Sequence, residues 1–343
     1  MTPKKPLITN AASSGIRLDR DQVKQLTQRR DLPGLVYLAQ WVAALALTST
    51  AVWYSMGSHW IWLAMFVHGI LLSVPAYALS HETAHLSVFR TDRLNKIVLW
   101  ITSLFYMEEP LHRRYTHANH HAYTWHTGKD LQMPFDTPMT FRGWLYEISG
   151  LSMLIFHTKV LWALSTKRYT PTILSAMSGK RLAESTRNAR IMVLIYLAIP
   201  VAAYYGITWP IWFVVIPHFL GTPVMLLFTL IQHVELQENS PSLVDSTRSF
   251  RTNWLGRFLY ANMNYHCEHH LYPLVPFYSL PALNELVRDQ LPEPDPGFFR
   301  TNLEVLDVVI RRSLHRNTKA RSIRQASVHI TEGRFKPIGR ATM

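Results

Sequence analysis

Four long apolar runs constrain the fold of this chain more than any other feature of its sequence. A helix that crosses a bilayer needs about 20 predominantly apolar residues, and each run has about that length. Because a backbone inside hydrocarbon has to satisfy its own hydrogen bonds, such runs fold as helices. The sequence therefore predicts membrane-spanning helices over residues 35–56, 60–79, 191–209 and 211–232.

The four predicted helices fall into two pairs, each joined by a short uncharged linker. Residues 57–59 join the first pair and Pro210 joins the second, which favours two helical hairpins. The linkers contain no Lys or Arg, whereas the N-terminal, middle and C-terminal segments are basic. Basic segments stay on the cytoplasmic side of a membrane. We therefore expect an inner-membrane protein, if the source is bacterial, with both termini and the region between the hairpins in the cytoplasm.

The composition agrees with a chain that is only partly embedded in lipid. Charged residues make up 17% of the sequence, compared with about 25% in a typical soluble protein. The net charge of +13, together with the apolar runs, favours anionic lipid over nucleic acid as the partner. The predicted division is a cytosolic segment (1–34), a first hairpin (35–79), a cap segment with interfacial or re-entrant helices (80–190), a second hairpin (191–232), a second cap segment (233–310) and a basic tail (311–343).

Histidines, of which there are 17, gather in three short motifs. The first is HETAH (81–85), the second HANHH (117–121) and the third HCEHH (266–270). Spacings of three and four residues put the rings on one face of a helix, which is the spacing of metal ligands. The candidate ligands are His81, His85, His117, His120, His121, His266, His269 and His270, with His233 alone after the fourth predicted helix.

Nine imidazoles are more than one metal ion needs. Zinc takes four ligands, and imidazole suits zinc, copper, iron and nickel alike. Two iron ions, each with a position left for oxygen, would use almost the whole set. The single cysteine, Cys267, excludes a Cys-only zinc site and a built-in iron–sulfur cluster. Because every motif follows a predicted bilayer boundary, we expect the nine side chains to converge.

These motifs resemble those of the membrane fatty acid desaturase superfamily, whose members are histidine-rich diiron oxygenases. The third motif is the most specific, within NYHCEHHLYPLVP (264–276), and the resemblance extends over about residues 73–280. It implies an all-α integral membrane protein with four transmembrane helices in two hairpins and a cytosolic helical cap that holds two irons. It also implies that the eight motif histidines are iron ligands and that His233 is the ninth.

Other residues are further candidates for the site. His112 precedes His117 by five residues, about 140° around a helix, so it shares that face only if the helix breaks. Asn264 is interpreted either as a ligand through water or as the cap of the third-motif helix. Glu82 and Glu268 are interpreted as acceptors for the outer N–H groups of the ligands.

The resemblance implies an O2-dependent oxidoreductase that acts on an unactivated C–H bond, with a fatty-acyl or lipid desaturase as the leading hypothesis. A hydroxylase or monooxygenase, including one with a small non-lipid substrate, is the alternative. Because the chain has no HPGG-type cytochrome motif, too few cysteines for a ferredoxin and no GxGxxG dinucleotide-binding motif, we expect a separate electron donor, a ferredoxin, rubredoxin or cytochrome, with its reductase. Non-enzymatic alternatives are a haem-binding electron carrier, through His68 and His218 inside the membrane runs, and a metal transporter.

Overall fold

The computed structural model of the protein describes residues 14–133 and 137–314. All regular structure in these residues is helical, without any strand. The fifteen helices are α1 (Arg20–Leu26), α2 (Asp31–Ser55), α3 (Ile61–Ala84), α4 (Asp92–Ser103), α5 (Pro110–Ala122), α6 (Phe141–Ile148), α7 (Leu151–Ser165), α8 (Pro171–Ala176), α9 (Gly179–Tyr204), α10 (Ile216–Leu230), α11 (Leu243–Ser246), α12 (Trp254–Leu259), α13 (His266–Leu271), α14 (Leu280–Val287) and α15 (Phe298–Leu314).

Four of these helices are long and apolar enough to cross a membrane, as predicted. They are α2, α3, α9 and α10, the last extended at its start by a π-helical turn, Ile211–Val215. α3 continues five residues beyond its predicted end, so His81 belongs to the same helix as the apolar run. α9 begins twelve residues before its predicted start. Its first turns are polar, so the hydropathy of the sequence does not reveal that they are helical. Of the predicted basic tail, residues 315–343 lie outside the described residues.

The centre of the fold is the crossing of α3 with α10, the most extensive helix contact in the structure. At Gly69 an added Cβ would lie 1.8 Å from the carbonyl oxygen of Pro217, and at Gly221 it would lie 2.0 Å from the carbonyl carbon of Gly69. The two backbones therefore touch. Small residues at such a crossing allow helices in lipid to pack closely where the hydrophobic effect contributes little.

Polar side chains add hydrogen bonds around this crossing. The ring of His68 contacts the Thr48 hydroxyl at 2.7 Å and the Phe213 carbonyl oxygen at 3.0 Å. His218 lies 3.1 Å from the Ser73 hydroxyl. Each histidine thus connects neighbouring membrane helices. These contacts favour interhelical hydrogen bonding over the haem-carrier alternative.

The packing of the second apolar pair differs from that of a close hairpin. α2 packs on α3, as in the first predicted hairpin, but α9 packs against α7 and α5 while α10 packs on α3. The pair α6 and α7 is bent by 63° and is apolar enough to form a broken span or a re-entrant loop, in the region where the sequence predicts an interfacial or re-entrant helix.

Helix α5, which carries the second histidine motif, is tied to α9 at its first turn. The Glu109 carboxylate caps α5 by accepting the His112 backbone N–H at 2.7 Å. The same carboxylate accepts hydrogen bonds from Ser185 at 2.5 Å and from Asn188 at 2.9 Å, both on α9. One buried carboxylate therefore orients the helix that presents three candidate ligands.

Candidate metal centre

The nine predicted histidines meet in two adjacent groups. Within each group one ring nitrogen of every member lies within 4.8 Å of the others. All nine side chains are buried except the half-buried His85. We call the groups cluster A, formed by His81, His85, His117, His121 and His269, and cluster B, formed by His120, His233, His266 and His270.

The three motifs are shared between the clusters in a regular way. The first motif contributes only to cluster A, whereas the second and third motifs each contribute to both. In the second motif the neighbours His120 and His121 point to different clusters. α5 therefore runs between the two groups, and the isolated His233 completes cluster B.

The inward ring nitrogens are spaced like neighbouring ligands of one metal ion. In cluster A, Nε2 of His117 lies 3.0 Å from Nε2 of His85 and 3.1 Å from Nε2 of His121. At a metal–nitrogen distance of about 2.1 Å, ligands at right angles are about 3.0 Å apart, and tetrahedral ligands about 3.4 Å. The spacing thus fits a site with more than four positions.

Cluster B repeats this spacing. Nε2 of His266 lies 2.9 Å from Nε2 of His233 and 3.0 Å from Nε2 of His270. Trp125 stacks on the His233 ring, with centroids 5.3 Å apart and planes 20° apart. The Trp125 ring thus packs against the one candidate ligand that comes from outside the three motifs.

Hydrogen bonds on the outer nitrogens fix which ring nitrogen faces inward in cluster B. Nδ1 of His233 donates to the Ser246 carbonyl oxygen at 2.8 Å, and Nδ1 of His120 donates to the Asp130 carboxylate at 2.8 Å. Burial acts to raise the pKa of Asp130, but the proximity of His120 and the hydrogen bonds to the carboxylate outweigh it and lower that pKa. With Nδ1 protonated, a neutral ring directs the Nε2 lone pair into the cluster.

The same orientation follows for His270. The Thr124 hydroxyl donates its proton to the His120 carbonyl oxygen at 2.7 Å, so its oxygen accepts from Nδ1 of His270 at 3.1 Å.

In cluster A, Nδ1 of His117 is 2.9 Å from Oε1 of Gln132. Lone pairs that converge at about 3 Å repel each other unless a cation lies among them, so the donor set fits bound metal ions.

Burial favours the neutral form of seven of these rings by lowering the pKa. It lowers the pKa of His85 and of His233 to about 3 each, with a smaller contribution from nearby positive groups. Burial is again the largest cause in five further cluster members, and the pKa lies well below the usual value in His117, His121, His266, His269 and His270. Neutral imidazole is the form that binds metal.

The two glutamates predicted as acceptors occupy different surroundings. Oε1 of Glu82 lies 3.3 Å from Nδ1 of His81 and 3.6 Å from Nδ1 of His269, and its role as an acceptor for the ligands stays a prediction. The Glu268 carboxylate accepts hydrogen bonds from the side chains of Ser249 and Asn284, each 2.5 Å long.

Two further candidates and the cysteine belong to neither cluster. His112 and Cys267 lie outside both groups. Asn264 does not cap α13, because Tyr265 is the residue at that position. Its Nδ2 donates to the Phe250 carbonyl oxygen at 3.1 Å, while its Oδ1 has no hydrogen-bond partner among the described residues. A water-mediated role for Asn264 stays a prediction.

Sequence reasoning missed most of the outer hydrogen-bond partners. Thr124 and Asp130 lie in the stretch after the second motif, where inclusion in the part of the chain that resembles the family is the only sequence signal. Gln232, whose amide contacts Nδ1 of His266 at 3.0 Å, precedes His233 and carries no such signal. Such partners commonly change metal affinity by about 10–100-fold when they are lost.

A cavity of about 350 Å³ touches both clusters. Its wall includes His81 and His117 from cluster A and His120, His233 and His266 from cluster B. Apolar side chains of α7 and α10 form another part of the wall, and they are Met153, Ile155, Phe156, Leu226 and Leu230. The three that belong to α7 are partly exposed on the outside of the protein.

The family to which this arrangement of histidines belongs is known from a family model that the chain matches. The family model described as fatty acid desaturase matches residues 58–302, which contain both clusters. The chain belongs to the fatty acid desaturase family. A curated relative of this desaturase-family protein is the chloroplastic omega-6 fatty acid desaturase of Glycine max. The two are 24% identical over 281 residues, an alignment that covers 74% of this chain and 61% of the relative. The resemblance inferred from the three motifs is thereby confirmed.

Proposed function

We propose that this protein is an integral membrane oxidoreductase that uses two iron ions and O2 to desaturate a lipid. The observation that carries the proposal is the pair of all-histidine clusters beside one cavity. Desaturation removes two hydrogens from adjacent carbons, R–CH2–CH2–R′ + O2 + 2e⁻ + 2H⁺ giving R–CH=CH–R′ + 2H2O. Bound iron would supply the activation of oxygen that this reaction needs.

Iron fits the donor set better than a structural zinc. Five and four imidazoles leave room for a further ligand at each metal, whereas tetrahedral zinc has four positions. Each cluster consists of histidines alone, so no carboxylate of the described residues bridges them. The ring orientations set by Ser246, Asp130 and Thr124 hold the lone pairs in place before metal binds.

The family supports a lipid substrate, and the cavity is consistent with one. The apolar wall formed by α7 and α10 would exclude water from the carbon that reacts. A hydroxylase would use the same clusters and cavity, with R–H + O2 + 2e⁻ + 2H⁺ giving R–OH + H2O. The two electrons come, in this proposal, from a separate ferredoxin, rubredoxin or cytochrome with its reductase.

Iron content and product analysis test the proposal together. The protein purified in nanodiscs is expected to hold about two irons per chain. Cells that express it are expected to gain lipids that lack two hydrogens, and to do so only when O2 is present. Mass spectrometry under ¹⁸O2 separates desaturation from hydroxylation, because only an alcohol retains the label. Active protein that contains one zinc and no iron would contradict the proposal, and so would unchanged lipids and metabolites in iron-loaded cells.

We also propose that both clusters face the cytoplasm, with hairpins at 35–79 and 191–232 and cap segments at 80–190 and 233–310. Cysteine labelling is the test, because the one native cysteine, Cys267, is buried. In intact bacterial cells a membrane-impermeant maleimide is expected to label Ser58→Cys but not Ser175→Cys, and to label both after lysis. The unsubstituted protein is the control. Labelling of Ser175→Cys in intact cells would overturn this orientation.

A further inference from the structure

A second polar layer lies next to cluster A on the wall of the same cavity. Arg113 precedes His117 by four residues on α5, about 6 Å along the helix. Tyr77 precedes His81 by the same interval on α3, and the Arg113 guanidinium lies 4.8 Å from the centre of its ring. Arg113, His112 and Tyr77 all line the cavity. This layer therefore faces whatever occupies the cavity beside the metal ligands.

Two side chains of this layer are buried with hydrogen-bonding groups unused. His112 is 2% exposed and Arg113 is 4% exposed. Nε and Nη2 of Arg113 and both ring nitrogens of His112 have no hydrogen-bond partner within the described residues. A buried donor without an acceptor is costly. A molecule in the cavity that carries an acceptor would remove that cost.

The charge of this layer is already balanced. Oε2 of Glu108 lies 3.5 Å from Nη1 of Arg113, and Oε1 lies 3.8 Å from Nδ1 of His112. Burial opposes ionisation of Glu108, but Arg113 and His112 outweigh it and lower the pKa of that carboxyl to about 2. Glu108 is therefore an anion that neutralises Arg113. A bound carboxylate would add an unpaired buried charge, whereas a neutral oxygen would not. Lys159, which also lines the cavity, is solvent-exposed and adds no buried charge.

We propose that Arg113 and His112 form a subsite that donates hydrogen bonds to a neutral oxygen of the substrate, such as an ester, ketone or hydroxyl oxygen. The subsite rests on the proposed function and narrows it. The substrate is an apolar molecule that carries such an oxygen within a few bonds of the carbon that is oxidised. Its apolar body lies against Ile155 and Phe156 of α7, and its oxygen faces α5.

Binding of matched twelve-carbon probes tests the subsite without turnover. Labelled methyl dodecanoate, dodecanoate and dodecane are equilibrated with the full chain in nanodiscs, and partition into lipid is subtracted with empty nanodiscs. The paired variant Glu108→Gln/Arg113→Met removes both charges at once, so that neither is left buried alone. Arg181→Met is the control, because Arg181 also lies 4.8 Å from the centre of a tyrosine ring, that of Tyr115, but does not line the cavity.

The expected result is a change in the ratio of the ester affinity to the dodecane affinity between the unsubstituted protein and the variant. The solvation of the probes is the same for both proteins, so it cancels from this comparison. The paired variant should lower this ratio about 10-fold or more, the size of a hydrogen bond to a charged group, while Arg181→Met leaves it unchanged. Glu108→Gln alone should reverse the preference, so that dodecanoate binds better than the ester. Iron content is measured on the same samples.

The outcomes separate this proposal from the proposed function. An iron-loaded protein that binds the ester and dodecane with the same ratio in the unsubstituted protein and in the paired variant would overturn the subsite alone. If the ratio changes in Glu108→Gln/Arg113→Met but dodecanoate is preferred throughout, the subsite binds anions and the neutral-oxygen assignment is wrong. Protein that holds no iron in any preparation would instead contradict the diiron proposal.

Discussion

His233→Ala is expected to remove one iron and almost all turnover. Cluster B has four members, so the substitution leaves three, whereas cluster A has five. His233 is also held on both sides, by the Ser246 carbonyl oxygen and by the Trp125 ring, and no other histidine of the described residues joins this group. Loss of an outer partner alone weakens metal binding by about 10–100-fold. For the ligand itself we expect a larger loss, with iron falling from about two to about one per chain.

The measurement is iron per chain together with product formation in the same preparation. His126→Ala is the matched control, because His126 follows the second motif by five residues and belongs to neither cluster. It should keep both irons and nearly full activity. Two irons and full turnover in His233→Ala would show that the ninth ligand has been wrongly assigned.

Gly69→Leu or Gly221→Val is expected to prevent accumulation of folded protein. At both positions the atoms that a side chain would meet are backbone atoms of the opposite helix, at 1.8 Å and 2.0 Å. No rotamer change relieves such a contact, so α3 and α10 would have to separate and lose the packing at the centre of the fold. We expect a cost at or above the upper end of overpacking, about 3 kcal/mol.

The test is the yield and thermal unfolding temperature of protein in mild detergent. Gly143→Ala is the control, since its Cβ would meet only side-chain atoms, the nearest being Oγ1 of Thr140 at 3.2 Å. It should be produced at the normal level. Gly69→Leu protein with an unchanged unfolding temperature would mean that the two helices do not cross as closely as described.

The parts of the fold that follow from local pattern could be predicted from the sequence. Apolar length identified all four candidate membrane helices, and the four-residue spacing within each motif identified the pairs that share a cluster. The spacing did not show that His120 and His269 each belong to the other cluster. His233 has no neighbour in its own segment, and only its position after the fourth predicted helix and the resemblance to a family suggested it. Contacts between distant segments have no corresponding pattern in the sequence. The acceptor for His233 is a backbone carbonyl oxygen, at Ser246, which no residue type reveals.

The second hairpin shows the same limit. Two apolar runs joined by Pro210 suggest adjacent helices, but which helices pack together depends on shape, and here the shape is set by two glycines. Gly69 and Gly221 draw α10 onto α3, so α9 packs on α7 instead. Glycine is frequent in membrane helices, and neither position stands out in the sequence.

Helix α3 runs from the apolar segment to His81 without a break, so the length of this helix fixes the depth of His81 in the membrane. From Ile61 to Gly69 is eight residues and from Gly69 to His81 is twelve, about 12 Å and 18 Å of helix. Together these equal the thickness of a hydrocarbon core, about 30 Å. A core that begins near Ile61 therefore ends near His81, at the level of glycerol and ester groups. A lipid whose reactive carbon lies in mid-chain would have to be lifted about half a leaflet, or about 8 Å, out of its neighbours, whereas one that reacts close to its oxygen-bearing end is already at the right height.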